Sequence, residues 1–218
     1  MSEIRHHPSD TTLMSYASGG LSHGLSLIVA AHLGMCPRCR KRASLADSIG
    51  GAVLDDAAPA VVSDESLEEV FRRIAAADPQ GYVRPRGAGR HGIPAPLGAM
   101  LPEDMADIRW RLVGPGIRQA KLPGENGEDE GVKMLRIAPG RSVPQHGHGG
   151  HEMTLIVSGS YTDEIGRFQA GDIADLDEDV HHQPVSDGST DCICIIATDA
   201  PLEFHGVISR LMQNFIRI

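Results

Sequence analysis

Two groups of residues in this 218-residue chain have the types and the spacing to hold metal ions. The first is His32-Leu33-Gly34-Met35-Cys36-Pro37-Arg38-Cys39, a His-x3-Cys-x2-Cys run closing an apolar, helix-like segment. Neutral imidazole and thiolate are the usual ligands of a closed tetrahedral zinc site, and Cys-x2-Cys lets two sulfurs reach one ion. His32 lies four residues before Cys36, about one helical turn back on the same face. Three ligands are local, so a structural site needs a fourth from elsewhere. The N-terminus offers His6-His7, just ahead of an expected helix start at Ser9. The competing reading is a redox Cys-x2-Cys, but that fold wants strands alternating with helices around the motif, and no strand pattern precedes it.

The second group is Gly140-x5-His146-x-His148-x3-Glu152-x6-Gly159, followed by Gly171-Asp172 and His181-His182. His-x-His puts two imidazoles on one face of an extended strand. Glu152 follows on the next stretch, and His181 or His182 offers a fourth ligand from a facing strand. This pattern resembles the two-part cupin motif, its first part in full. In the second part, Gly171 and His182 keep the family spacing while Asp177 and Asp179 stand in place of a Pro and a Gly; the same count favours His182 over His181. Three imidazoles and a carboxylate suit Zn, Fe(II), Mn or Ni on ligand grounds. His151 is expected to face solvent rather than to support the site. Cys192-x-Cys194 puts two thiols on one face of a strand, where they could line the site as oxidisable groups or simply be buried.

The elements that must carry these groups can be read in order. Ser9 is a candidate N-cap for a short helix carrying Leu13, Tyr16 and Ala17, ended by Gly19-Gly20. Ser22 can cap a second helix with Leu25, Val29 and His32 on one side. Pro37 opens a third, expected to run to about Ser48 before Gly50-Gly51. After a small-residue connector over 52–63, Ser63 or Asp64 caps a fourth helix with Leu67, Val70, Phe71 and Ile74 at i, i+3, i+4 and i+7. That one-sided apolar stripe suits either packing on the neighbouring helices or a partner protein. The Pro-, Gly- and Arg-rich stretch 78–100 reads as a flexible linker. Beyond it, short apolar runs at 108–113, 117–122, 132–137, 153–157, 161–163, 172–176 and 192–198 between turn residues indicate a sandwich or barrel. Periodicity does not assign the tail, 201–218. The expected fold is thus an all-α zinc-binding bundle over 1–77, a linker, and an all-β jelly-roll barrel over 101–218.

Composition narrows the function. The net charge is −9, and all of it falls in residues 101–218, while residues 1–100 are balanced. Neither half offers the basic field that phosphate neutralisation needs, so direct nucleic-acid binding is not expected. The cluster Arg38, Arg40, Lys41 and Arg42 is either a solvated helix face or a local patch for an acidic protein. No run approaches the roughly 18 apolar residues of a membrane span. The opening MSEIRHHPSD does not read as a signal peptide. With four cysteines, two in a metal-type motif, a reducing compartment is indicated, and a cytoplasmic protein is expected.

The chain resembles the ChrR-type cupin-containing zinc anti-sigma factors over nearly its whole length. The likeness is carried by Ile4-Arg5-His6-His7-Pro8-Ser9-Asp10, the two metal motifs, Asp191-Cys192-Ile193-Cys194, Ala197-Thr198-Asp199-Ala200-Pro201-Leu202 and Phe215-Ile216-Arg217-Ile218. It implies one zinc on His7, His32, Cys36 and Cys39 and a second on His146, His148, Glu152 and His182. It also implies a group IV (ECF) sigma factor as partner. The helical module would insert between that factor's two core domains, and the cupin would be needed for release by singlet oxygen or organic hydroperoxides, not for inhibition. Leu67, Val70, Phe71 and Ile74 are the expected partner-binding residues. The rival reading is a dioxygenase-like cupin enzyme whose helices only dimerise it. A third is a zinc-dependent adaptor whose cupin binds a small molecule. Metal content and substrate-dependent O2 uptake separate the first two.

Overall fold

A computed structural model describes residues 3–63, 65–77, 89–122 and 131–200, with the backbone of 202–204. Four helices come first. Helix α1 (Asp10–Ala17) starts where Ser9 Oγ accepts the Thr12 amide at 3.0 Å. Helix α2 (His23–Met35) follows Ser22, which holds the cap position without a side-chain bond, and buries Leu25, Ile28, Val29 and His32. Helix α3 (Pro37–Asp55) begins on Pro37, whose missing N–H is no loss in a first turn.

The expected stop at Gly50-Gly51 does not occur. Both glycines have open space where a Cβ would sit, and α3 continues to a cap at Asp56, whose amide reaches the Ala52 carbonyl at 3.2 Å. Glycine costs a helix about 1 kcal/mol, which weakens this last turn without ending it. Helix α4 (Glu65–Ala76) has no buried residue. Its apolar stripe packs on none of the other described elements.

The strands form an antiparallel barrel. They are β1 (Arg111–Gly114), β2 (Ile117–Lys121), β3 (Val132–Ile137), β4 (His146–His148), β5 (Glu152–Ser158), β6 (Ser160–Thr162), β7 (Arg167–Gln169), β8 (Ile173–Leu176), β9 (Val185–Ser186), β10 (Cys192–Thr198) and β11 (Leu202–Phe204). Six make one sheet in the order β1-β2-β3-β10-β5-β8. Opposite it lie the sheet β7-β6-β9 and the pair β11-β4. The tail thus contributes a strand at 202–204, while 205–218 lies outside the described residues. Strands β7 and β9 were not anticipated, because two or three residues are too few to show alternation.

The six-stranded sheet is apolar on both faces, and this joins the two halves of the chain. In β10, Cys194 and Ile196 point into the barrel with Leu135, Ile156, Tyr161 and Phe168. Ile195 and Ala197 point outward and share a core with Leu25, Ile28 and Val29 of α2. The stretch expected as linker belongs to this second core from Gly89 onward: Ile93 is 2% exposed and Leu97 0%. Two apolar anchors in a Gly/Pro-rich context escaped the composition reading. Gly34 admits this segment, since a Cβ there would fall 2.6 Å from Pro94. Residues 78–88 of the expected linker lie outside the described residues.

Ile28 is fully buried between helix and sheet, and the sole tryptophan, Trp110, packs on the same core. Ile28→Ala should cost about 2–5 kcal/mol and lower the thermal midpoint seen by Trp110 fluorescence and by helical circular dichroism together. A helical signal that melts early while Trp110 fluorescence stays at its wild-type midpoint would refute the shared core.

Candidate functional site: two metal centres

The histidine and the thiols of the first motif meet as their spacing requires. Pro37 starts α3 so that Cys36 stands at its cap and Cys39 in its first turn, beside the end of α2 that carries His32. The fourth member is His7, in the extended arm before α1. Its Nδ1 lies 3.5 Å from Cys36 Sγ and 3.4 Å from Cys39 Sγ. Nitrogen and sulfur on one tetrahedral zinc are about 3.6 Å apart at usual bond lengths. One ligand atom from each of His7, His32, Cys36 and Cys39 falls within 4.8 Å of all the others. His6 turns the other way, its Nδ1 3.2 Å from Asp172 Oδ2 and its ring 4.2 Å from that of Phe168. Of the two histidines that the sequence offers at this place, His7 lies beside the thiols and His6 beside Asp172.

The second cluster is built from three separate places in the barrel. Strand β4 carries His146 and His148, Glu152 opens β5, and His182 pairs its backbone with His146 in both directions. All four ligand atoms again lie within 4.8 Å of one another, and all four residues are buried. Each histidine has its Nδ1 tied to an oxygen: His146 to the Pro144 carbonyl at 2.8 Å, His148 to the Asp177 carbonyl at 3.3 Å, His182 to Asp163 Oδ2 at 2.9 Å. A carbonyl only accepts, so Nδ1 of His146 and His148 carries the proton and Nε2 the lone pair. Such pairing is the usual way a ligating imidazole is oriented. Asp177, standing where the cupin pattern has Pro, serves here through its backbone, which any residue supplies.

Chemistry supports a cation at both places. His146 and His182 bring their Nε2 atoms to 3.1 Å. In neutral imidazoles tied at Nδ1 these are two facing lone pairs, which repel unless they share a positive ion. Among the described residues, His32 Nε2, His148 Nε2 and Glu152 Oε2 are buried without a hydrogen-bond partner. Unmet polar atoms of this kind are costly in an interior. Burial, then the charge of His182, pushes His146 down to about 3; burial likewise takes His148 and His32 down to about 4. All three are therefore neutral near pH 7, the ligating form. Burial also raises Glu152 to about 7, and burial followed by the hydrogen bond with Cys36 pushes the Cys39 thiol up to about 12.

Other residues singled out from sequence fall in different places. His151 does not face open solvent: its Nε2 meets Asp175 Oδ1 at 2.5 Å, and this contact with burial acting against it leaves its pKa raised. Cys192 and Cys194 are buried free thiols. Cys194 lines a small cavity with His146, Glu152, Tyr161 and His182, and its hydrogen bond with Cys192, together with burial, holds it well above the usual thiol range. Leu67, Val70, Phe71 and Ile74 lie on α4, remote from both clusters in sequence and exposed. Asp163, which orients His182, went unnoticed in the sequence. Nothing in its spacing marks it; only the pairing of β6 with β9 and the turn after β6 bring it there.

A carboxyl that is half protonated near pH 7 must lose its proton to bind a cation. Metal affinity at the barrel cluster should therefore rise with pH up to about 7, changing about tenfold per unit below that point, and flatten above it. Competition titrations with a chromophoric chelator on a Cys36→Ser/Cys39→Ser background check this. Glu152→Gln should flatten the slope between pH 5 and 7, and a wild-type affinity already flat across that range would contradict it.

Comparison with known proteins places the chain. Residues 100–201 match the family profile described as the ChrR cupin-like domain. The anti-sigma-E factor ChrR of Cereibacter sphaeroides is 43% identical over 219 residues, 99% of this chain and 99% of that protein. The crystal structure of Rhodobacter sphaeroides SigE in complex with the anti-sigma ChrR holds a chain 42% identical, superposed over 90% of this chain and 100% of that one with a TM-score of 0.73. Whole-length likeness at this identity makes this chain a member of the ChrR family of cupin-containing anti-sigma factors.

Proposed function

We propose that this protein is an anti-sigma factor: its helices bind and silence a group IV (ECF) sigma factor in the cytoplasm, and its cupin governs release under singlet oxygen or other oxidative stress. The observation that carries the reading is α4. Leu67, Val70, Phe71 and Ile74 form one apolar face that is 49–63% exposed at every position. A helix polar on one side and apolar on the other is stable in water only when that second side is covered. Helix α3 adds Leu45, Ile49 and Val53, spaced at i, i+4 and i+8 and also exposed. A protein partner with a large apolar surface suits both stripes. The relative of known structure is bound to a sigma factor, and among the described residues no helix is long and apolar enough to cross a membrane.

In this reading His7, His32, Cys36 and Cys39 hold a structural zinc, and His146, His148, Glu152 and His182 hold the cupin metal. A zinc held there would supply a redox-inert cross-link between the arm, α2 and α3, and a metal on the barrel residues would supply Lewis acidity. The chain's residues do the rest. Pro144, Asp177 and Asp163 keep three Nε2 atoms aimed at one point, and the apolar lining around Cys194 restricts access to small molecules. Whole-length likeness to an anti-sigma factor favours a regulator over an oxygenase.

The test uses the full chain with the group IV sigma factors of its host. Val70→Asp/Phe71→Asp should weaken sigma binding by at least about tenfold while zinc content stays at the wild-type level. His148→Ala should bind and inhibit normally but fail to release on exposure to singlet oxygen. Undiminished binding by the α4 variant would remove α4 from the interface. Wild-type release by His148→Ala would remove the cupin metal from the response.

A further inference from the structure

The geometry points to Gly171, Asp172 and Asp175 of the barrel as positioning groups for the helical metal site, whose two histidines are held from across the domain boundary. This rests on the reading of His7, His32, Cys36 and Cys39 as a zinc site, and adds where that site gets its rigidity. Cys36 and Cys39 are fixed by the backbone of α3. His7 precedes α1 and has no such backbone support, and the ring of His32 on α2 is oriented from outside the helices. His32 donates its Nδ1–H to the Gly171 carbonyl at 3.2 Å, which leaves Nε2 free to ligate. His7 lies in an extended arm, and the arm is gripped on both sides of it.

Ahead of His7, the Arg5 and His6 amides donate to Asp172 Oδ1 at 2.7 and 3.1 Å, and His6 Nδ1 reaches Oδ2 at 3.2 Å. The Ile173 amide in turn donates to the His6 carbonyl at 3.3 Å, so the arm runs along the otherwise open edge of β8. Beyond His7, Asp175 Oδ2 accepts from the Ser9 amide and from Thr12 Oγ1, each at 2.8 Å. Asp172 is fully buried, so its carboxylate depends on these donors. Gly171 has a φ of 95°, and a Cβ there would fall 2.9 Å from Ile4. Glycine at this position lets the arm lie down.

The same strand adjoins the other cluster. Strand β8 pairs Leu176 with Glu152 of β5, and the other oxygen of Asp175 meets His151, the residue before Glu152. One carboxylate therefore bonds both the helix start that follows His7 and the neighbour of a cupin ligand. Outer partners of ligating histidines typically account for about 10–100-fold in metal affinity.

Cobalt(II) loading of the full-length protein tests this. Thiolate-to-cobalt charge-transfer absorption reports the helical site alone, because the barrel cluster contains no sulfur ligand. In chelator competition, Asp172→Asn and Asp175→Asn should each weaken the thiolate-site affinity by about tenfold or more. On a Cys36→Ser/Cys39→Ser background, the same substitutions should leave the barrel site's affinity unchanged. A merely structural role would instead lower the melting temperature while leaving the metal-loaded spectrum and affinity as in wild type. That result overturns the inference, as does an equal loss at both sites. Should Asp172→Asn fail to fold, Asp175→Asn carries the same measurement from the other side of His7. A wild-type protein without the charge-transfer band would take down the zinc-site reading, and this inference with it.

Discussion

Lone pairs brought face to face inside a dry interior are the constraint on which this structure turns. His146 and His148 each donate Nδ1–H to a carbonyl and so present an Nε2 lone pair, and His182, tied at Nδ1 to Asp163, brings its Nε2 to the same small volume. Protonating His146 does not readily relieve the repulsion, because burial takes its pKa down to about 3. A bound cation turns each of those repulsions into an attraction. The arrangement would be a liability in a protein that did not bind metal, because several polar atoms would be buried without partners. At the helical cluster one such atom recurs, His32 Nε2, buried without a hydrogen-bond partner beside two thiols.

Satisfying that constraint dictates where the rest of the chain is rigid. Strands β4, β5 and β10 are fully or nearly buried, and the outer face of the main sheet is sealed by α2. The barrel and the first three helices are consequently not independent bodies on a tether. They share one apolar core and one strip of hydrogen bonds along β8. Helix α4 is the exception, joined through residues 56–63 and burying nothing. Burial is concentrated at the two clusters and absent along the apolar face of α4.

The two His/Cys/Glu clusters were legible because groups that could share a metal are constrained in spacing. His32, Cys36 and Cys39 had to fall on one helical turn and the start of the next, and His146 and His148 on one strand face. The long strands 132–137 and 192–198 stood out for the same reason, a period sustained over six or seven residues. What sequence concealed depends on partners distant in the chain. Asp172 and Asp175 fall in the strand expected over 172–176, and nothing local marks their donors, which lie about 165 residues away. Ile93 and Leu97 were hidden by their Gly and Pro neighbours. At His6-His7 both side chains were chemically suitable, and only the direction of the arm against β8 separates them.

The strip along β8 also bears on how a signal at one cluster could be felt at the other. Coupling between two sites is reciprocal: whatever the occupied barrel contributes to holding His7 and His32, the occupied helical site contributes to the barrel. A 10–100-fold change in affinity corresponds to about 1.4–2.7 kcal/mol. That is small against the stability of a folded domain, so the grip on His7 and His32 can be weakened without unfolding either half. It is also large enough to change how fully a metal would occupy the helical cluster. Because α4 does not take part in the strip, a partner can cover its apolar face while the two clusters remain in contact. A switch built this way would act on the metal-held frame of the helices and not on the interface itself.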